Sequence, residues 1–328
     1  MGKRFLLLLL VLPFLGYSDK VPFHHIVERE HSETVKLQAP WFTGPLFASS
    51  SFTVPPGHLN FEPYIFATAN TGHYGHNWES TKTPTYWNTY FQPAFQTGVT
   101  KWIDFEIEPT LFYNYTNGAG KWVFGDMPIL LDFQLYKQGV NATDWIMGLK
   151  FSLRETIPLG KYQNLNPKKK LTDIGGQGSW QTAFALVWGN LFYLGGQVHF
   201  LAWRTEIQYN LPAPVHVKNL NAYGGGKGTD GTVYPPQNFM IDTAIEINLS
   251  RNWVFAMDFI GSWSGKTRFK GKTVVPMTAP PSAQFSLAPA IEYNWSTNLG
   301  IILGPWFTIA GRNTVQFASG VFAVNYFY

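Results

Sequence analysis

The stretch IDFEIEPTLFYNY, residues 103–115, decides the fold. Ile103, Phe105, Ile107, Leu111, Tyr113 and Tyr115 share one parity, while Asp104, Glu106, Glu108, Thr110 and Asn114 share the other. Successive side chains of a β-strand point to opposite faces, so this is a strand with one greasy and one acidic side. Its length suits the roughly 9–11 residues that a tilted strand needs to cross a bilayer. In water it could equally cover a sandwich core, and the choice rests on its neighbours.

The same alternation recurs on both sides. Met127, Ile129, Leu131, Phe133 and Leu135 oppose Asp126, Asp132 and Gln134; Trp145, Met147, Leu149, Phe151 and Leu153 oppose Lys150, Ser152 and Arg154. Further on, Phe239, Ile241, Ile245 and Ile247 oppose Asp242, Glu246 and Asn248, and Trp253, Phe255, Met257 and Phe259 oppose Asp258. Phe285, Leu287, Ile291 and Tyr293 oppose Gln284, Ser286 and Glu292. About twelve strands are predicted, an even number as in bacterial barrels. They begin near Leu59, Tyr86, Ile103, Asp126, Trp145, Trp180, Gly196, Asn238, Trp253, Gln284, Leu299 and Thr314. Those near Trp180 and Leu299 are apolar on both parities, so there the pattern leaves the register open.

Connections alternate in length, as a barrel with tight turns at one rim and long loops at the other requires. Thr100-Lys101, residues 138–143, Gly189-Asn190, residues 250–252 and residues 296–298 read as tight turns. Residues 70–84, 116–125, 158–177, 210–237 and 264–283 read as long outer loops, and the last hairpin, residues 311–313, as a short one. A Lys or Arg on the lipid side costs about 2–4 kcal/mol at the midplane and far less at the rims. This register leaves only Lys137 and Glu155 there, both at strand ends, whereas the outer face of a soluble sandwich should be charged.

Composition agrees. Only 13% of the residues are charged against roughly 25% in ordinary soluble domains, so something other than water meets much of the surface. Apolar and aromatic contents of 45% and 17% exclude a disordered chain. No apolar run approaches the roughly 20 residues of a membrane helix; the longest, residues 5–15, is broken by Pro13. That run follows Lys3 and Arg4 and leads to Gly16-Tyr17-Ser18, a secretory signal peptide over residues 1–18. Without Lys3 and Arg4 the formal charge falls from +4 to +2, which argues against nucleic acid. With no cysteine, disulfides and thiolate metal sites are excluded, and a closed ladder of backbone hydrogen bonds supplies rigidity instead. Thirteen Trp and sixteen Tyr suit aromatic girdles at two interfaces. The expected organisation is a signal peptide (1–18), a periplasmic extension or plug (19–57), and an all-β transmembrane antiparallel barrel (58–328).

The last strand, with Phe322, Val324, Tyr326 and Tyr328 at alternate places, looks like the terminal signature read by the barrel-assembly machinery of the outer membrane. One feature resists the pattern. Pro63, Pro93, Pro109, Pro289 and Pro305 fall on the outward parity and Pro128 on the inward, although proline interrupts a ladder and a closed sheet has no edge to hide it. Bulges at the rims, or a local gap in the wall, are the two readings.

Before the first strand stands WFTGPLFASSSFTVPPGHLNFEPYIF, residues 41–66. Through Thr43-Gly44-Pro45, Pro56-Gly57-His58 and Asn60-Phe61-Glu62-Pro63-Tyr64 it resembles the opening segment of a family of outer-membrane β-barrels associated with the MetA pathway of phenol degradation. The resemblance implies a porin-like barrel, or one that imports aromatic hydrocarbons.

Inward parity gathers Glu62, Asp104, Glu106, Glu108, Asp132, Asp242, Glu246, Asp258 and Glu292 against Lys150, Arg154 and Arg204. Rings of carboxylates favour cations, so these are the candidate selectivity residues; the alternative is an internal salt-bridged network. Twelve strands enclose a bore between a filled eight-stranded barrel and a sixteen-stranded porin, hence a narrow path unless something inside moves. Residues 19–57 are the candidate plug, with Phe47 and Phe52 as anchors. His24, His25 and His31 lack the spacing of a metal site. Lys168-Lys169-Lys170 and Lys266, Arg268, Lys270 and Lys272 lie in outer loops, where lipopolysaccharide phosphates are candidate partners. For catalysis the only candidates are His73 and His76 with Glu79, in one loop, and Gly224-Gly225-Gly226-Lys227-Gly228 lacks the strand and helix of a phosphate loop. The expectation is a channel passing small solutes, apolar or aromatic ones included, without enzymatic activity or a cofactor. A non-conducting structural or adhesin barrel and, further off, a hydrolase are the competing classes.

Overall fold

The computed structural model describes residues 41–137, 146–195 and 199–328. The expected signal peptide and the histidine-rich start of the extension lie outside the described residues. In chain order the strands are β1 Leu59–Tyr74, β2 Ser80–Thr100, β3 Ile103–Ile107, β4 Leu111–Thr116, β5 Ala119–Phe124, β6 Met127–Lys137, β7 Ile146–Ile157, β8 Gln181–Gly195, β9 His199–Pro212, β10 Val215–Asn221, β11 Gly224–Tyr234, β12 Asn238–Asn248, β13 Trp253–Ser264, β14 Arg268–Lys272, β15 Ser282–Asn294, β16 Leu299–Arg312 and β17 Thr314–Phe327. β10, β11 and β14 form a separate sheet, and all others pair antiparallel around one ring that closes because β1 pairs with both β2 and β17. β3 with β4, and β5 with β6, each make one interrupted wall strand, giving a twelve-stranded barrel whose strands begin close to the expected positions. At the seam Leu59 and Tyr328, from opposite ends of the barrel sequence, exchange both backbone hydrogen bonds (2.9 and 2.8 Å).

The alternation becomes geometry. Phe259, Ile291, Leu303 and Tyr326 are exposed on the outside, whereas Asp104, Asp258, Glu246 and Glu292 are fully buried within. The two strands apolar on both parities are resolved by size: β8 turns Ala183, Ala185 and Val187 inward and Phe184, Leu186 and Trp188 outward. Glu155 stands near a strand end as expected and accepts from Thr182 Oγ1 at 2.7 Å.

Several sequence expectations give way. Gly189-Asn190 is no turn but lies inside β8, where Gly189 pairs with Gly148 of β7. A Cβ at either glycine would meet Ser51 at 2.5–2.7 Å, so the pair makes room for the segment that precedes the barrel. Residues 70–84 and 116–125 are largely strand: β1 and β2 run on to a short turn, and Asn117-Gly118, with φ of 46° and 78°, closes a tight β4–β5 hairpin. Lys137 is not on the lipid side. A bulge between Gln134 and Tyr136 resets the strand, and Lys137 lines the lumen with its Nζ 5.5 Å from the Phe52 ring.

The prolines mark interruptions of the ladder. Phe91 pairs with Leu111 and Phe95 with Ile107, but residues 92–94 and 108–110, which carry Pro93 and Pro109, are unpaired between them. Between β15 and β16 the paired register stops at Leu287 with Phe307 and resumes at Ile291 with Leu303, spanning Pro289 and Pro305. Pro63 pairs with Pro93 across β1–β2, while its other side, toward β17, is unpaired. Each interruption is where a missing N–H meets a neighbouring strand, and none lies at a rim.

Candidate functional site

Residues 41–57, without regular secondary structure, run through the lumen as a strip held by the wall's carboxylates. From the β1 end, Val54 N–H donates to Asp104 Oδ2 (2.6 Å), which also accepts from Gln96 Nε2 (3.1 Å). Thr53 N–H donates to Gln134 Oε1 (2.8 Å), and the Gln134 amide returns a bond to Ser51 O (2.9 Å). Ser49 N–H reaches Glu206 Oε2 (3.3 Å). The amides of Leu46, Phe47 and Ala48 all donate to the Asp258 carboxylate, at 3.0, 3.3 and 3.0 Å. Thr43 N–H donates to Glu292 Oε2 (2.6 Å), and Trp41, bonded through its carbonyl to Asn294, lies under the Arg251 guanidinium (4.3 Å) at the turn before β13. Both ends of the strip thus lie at one rim, where Thr100-Lys101 and residues 250–252 turn the chain. A segment without its own ladder must find acceptors for its amides, and inward carboxylates supply them.

Six of the remaining predicted lumen residues form three ion pairs. Lys150 Nζ donates to Asp132 (2.5 Å), both buried, and Ser152 hydroxyl donates to the same carboxylate. Arg154 pairs with Glu108 (2.5 Å), which also accepts from Gln92 Nε2 (3.1 Å), and Arg204 pairs with Glu246 (3.0 Å). Glu62 accepts from Asn60, from the Tyr64 hydroxyl (3.0 Å) and from Asn325. Glu106 and Asp242 line the cavity, and Asp242 Oδ1 has no hydrogen-bond partner among the described residues. All twelve charged candidates therefore face inward, divided among strip acceptors, ion pairs and cavity wall. The structure adds Glu206, which shares the parity of Arg204 and was legible by the same rule.

Above the strip the wall is aromatic, a feature that the charged positions alone do not reveal. Phe66 stacks on Tyr90 (4.2 Å between centroids), Tyr90 meets Phe112 (5.3 Å), and Trp306 meets Phe317 (4.3 Å). Phe47 of the strip closes the group, 4.7 Å from Trp306 and 6.1 Å from Phe66. The signal was present: Tyr64 and Phe66 share the parity of Glu62, and Phe112 that of Asn114. Together the aromatic and acidic walls and the strip enclose a cavity of about 680 Å³. The far mouth is narrowed by the loop between β7 and β8, whose Thr172 and Ile174 carbonyls accept from Asn114 (3.2 and 2.9 Å). Its Asp173 is buried; burial alone would raise that carboxyl, but the Lys161 ammonium (2.8 Å) and the Asn166 amide outweigh it and hold it below the usual value. Of the outer candidates, Lys168 and Lys169 lie on a short 3-10 turn, Pro167–Lys169. His73 and His76 are exposed at the β1–β2 hairpin, with Glu79 bonded to Asn77 (2.5 Å).

A closed ring of twelve antiparallel strands, greasy outside and polar within, is the architecture of outer-membrane β-barrels. Among solved structures the chain is similar to the COG4313 outer membrane channel from Pseudomonas putida F1, with a TM-score of 0.65 at 10% identity over 86% of this chain and 100% of that one. Weaker likenesses are the translocator domain of the autotransporter NalP from Neisseria meningitidis (TM-score 0.42, 8% identity, 82% of this chain and 87% of that one) and the Pseudomonas putida toluene transporter TodX (0.36, 8%, 89% and 100%). No protein-family model and no curated protein sequence matches the chain. At such identities the first likeness speaks for the fold, and function rests on the site.

Proposed function

We propose that this protein is a passive outer-membrane channel for small solutes, with hydrophobic or aromatic compounds as its preferred cargo. One observation carries the reading. A cavity of about 680 Å³ has one wall of stacked aromatics, the other of carboxylates, and a floor made of a strip held largely by backbone-to-carboxylate hydrogen bonds. A core meant only to fill the barrel, apolar or salt-bridged, would pack its side chains to crystal-like density and leave no such cavity. The excess of lumen carboxylates over lumen cations sets a preference for cations over anions among charged solutes. An apolar solute leaves the aromatic wall sideways, through the unpaired stretch at Pro93 and Pro109 beside Tyr90 and Phe112. The resemblance of residues 41–66 to the opening segment of the phenol-degradation barrels fits this cargo, and the alternating aromatic end with Phe322, Val324, Tyr326 and Tyr328 serves assembly in the outer membrane. We infer no catalytic role: among the described residues, exposed His73 and His76 have no hydrogen-bonded acid or nucleophile, and no cofactor is invoked.

The competing reading, a sealed structural barrel, is favoured by the strip and by the loop over the far mouth. The deciding experiment compares uptake of an uncharged monoaromatic compound by cells with and without the protein, alongside Phe66→Ala and Tyr90→Ala variants. A channel gives uptake that both variants reduce severalfold. Equal uptake with and without the protein rejects the proposal.

A further inference from the structure

The sheet of β10, β11 and β14 is built from residues that read as outer loops. It brings together two stretches about fifty positions apart. Across its three strands Lys218 faces Asp230 and Asp230 faces Lys272; His216 faces Thr232 and Thr232 faces Lys270; Tyr234 faces Arg268. Residues two apart along a strand share a face, so Lys218, Arg268, Lys270 and Lys272 stand on one side, all exposed. The acid among them, Asp230, is engaged by His216 at 3.1 Å, and the Tyr234 ring lies 5.9 Å from the Arg268 guanidinium.

The opposite side is a small apolar core. Val215, Val217, Val233 and Met277 are buried there, with Tyr162 of the mouth-covering loop packed against them. The cationic face therefore points away from the channel mouth. It also sits low. Arg268 follows the last residue of β13, Ser264, by four positions, at most about 13 Å of chain. Next to that strand end Trp263 and Tyr209 are exposed on the outer wall, as an aromatic girdle would be. The cations are spread over two strand spacings, about 10 Å, on a flat surface, too far apart to converge on one small anion.

We propose that this face binds the phosphate groups of the phosphorylated glycolipid in the outer leaflet. Each phosphate offers several acceptor oxygens to charge-assisted bonds from Lys and Arg, and the array matches a headgroup with more than one phosphate. Such binding is independent of what the channel carries.

The test uses the full chain purified in detergent and rough lipopolysaccharide as the probe. Binding is compared for the native protein, for the combined Lys218→Gln, Arg268→Gln, Lys270→Gln and Lys272→Gln variant, and for a combined Lys168→Gln, Lys169→Gln and Lys170→Gln control. Heat-dependent gel mobility reports that each barrel is folded. The expected result is binding weakened roughly tenfold or more in the first variant and unchanged in the control. Phosphatase-treated glycolipid should bind as weakly to the native protein as intact glycolipid does to the first variant. Undiminished binding by the folded first variant, or equal binding of phosphatase-treated glycolipid, overturns the assignment. Displacement of the glycolipid by millimolar inorganic phosphate overturns it too, and assigns the face to free anions.

Discussion

Asp258 is the strongest hold on the strip, and its removal should loosen the channel floor. Its Oδ2 accepts from Leu46 N–H at 3.0 Å, and its Oδ1 from Ala48 at 3.0 Å and Phe47 at 3.3 Å. Hydrogen bonds to a charged group contribute about 1.5–3 kcal/mol each, and burying the freed amides adds to the loss. The two shorter bonds alone give about 3–6 kcal/mol; water entering the lumen offsets part, so about 3 kcal/mol is the working figure. At about 1.4 kcal/mol per tenfold, Asp258→Ala should shift the balance between seated and displaced strip about a hundredfold. Asp258→Asn keeps one acceptor oxygen and should fall between. Single-channel recording in planar bilayers reads this directly, as more frequent steps to a larger conductance. Current traces identical to the native protein's, from an Asp258→Ala barrel shown to be folded, would mean that Asp258 does not seat the strip.

Breaking the buried pair through Lys150→Met alone should destabilise the barrel by about 3–5 kcal/mol, since Asp132 is left as a buried charge with only the Ser152 hydroxyl beside it; Lys150→Met with Asp132→Leu should recover most of it, read by denaturant unfolding in detergent. Pro93→Ala with Pro109→Ala restores two N–H donors in the unpaired stretch; uptake of a hydrophobic solute should drop severalfold with ion conductance unchanged, and unaltered uptake would count against sideways exit. The lowered carboxyl of Asp173 means that its hold on the mouth loop is complete above the usual carboxylate pKa, about 3.9, and is lost as pH falls through the lower folded value. Hydrogen exchange in residues 158–180 should therefore rise only below about pH 4, and Asp173→Asn should exchange fast at every pH.

The barrel was legible because lipid on one side and a wet lumen on the other force period two on almost every strand, as in residues 103–115. The inward set followed from the same parity, but its partners did not. That Asp104 and Asp258 would hold backbone amides of residues 46–54 depends on contacts between distant segments, which no local pattern encodes. Gly189 and Gly148 read as turn and strand for the same reason: their cause is Ser51, far away in sequence. The small second sheet was missed although Val215 and Val217 alternate with His216 and Lys218, because glycine and proline around them dominate the reading. Lys137 was misplaced by one bulge, which reverses parity without a local signature. The aromatic wall is invisible in the charges alone, although Tyr64, Phe66 and Phe112 obey the same alternation as the acids.

As a channel, this barrel offers ions an acid-lined path past the strip. The most direct measurement is the reversal potential of the full chain in a planar bilayer under a potassium chloride gradient at neutral pH. Small discrete conductance steps with a reversal potential on the potassium side are the expected result. A bilayer that stays silent despite inserted, folded protein, or a reversal potential on the chloride side, contradicts the account.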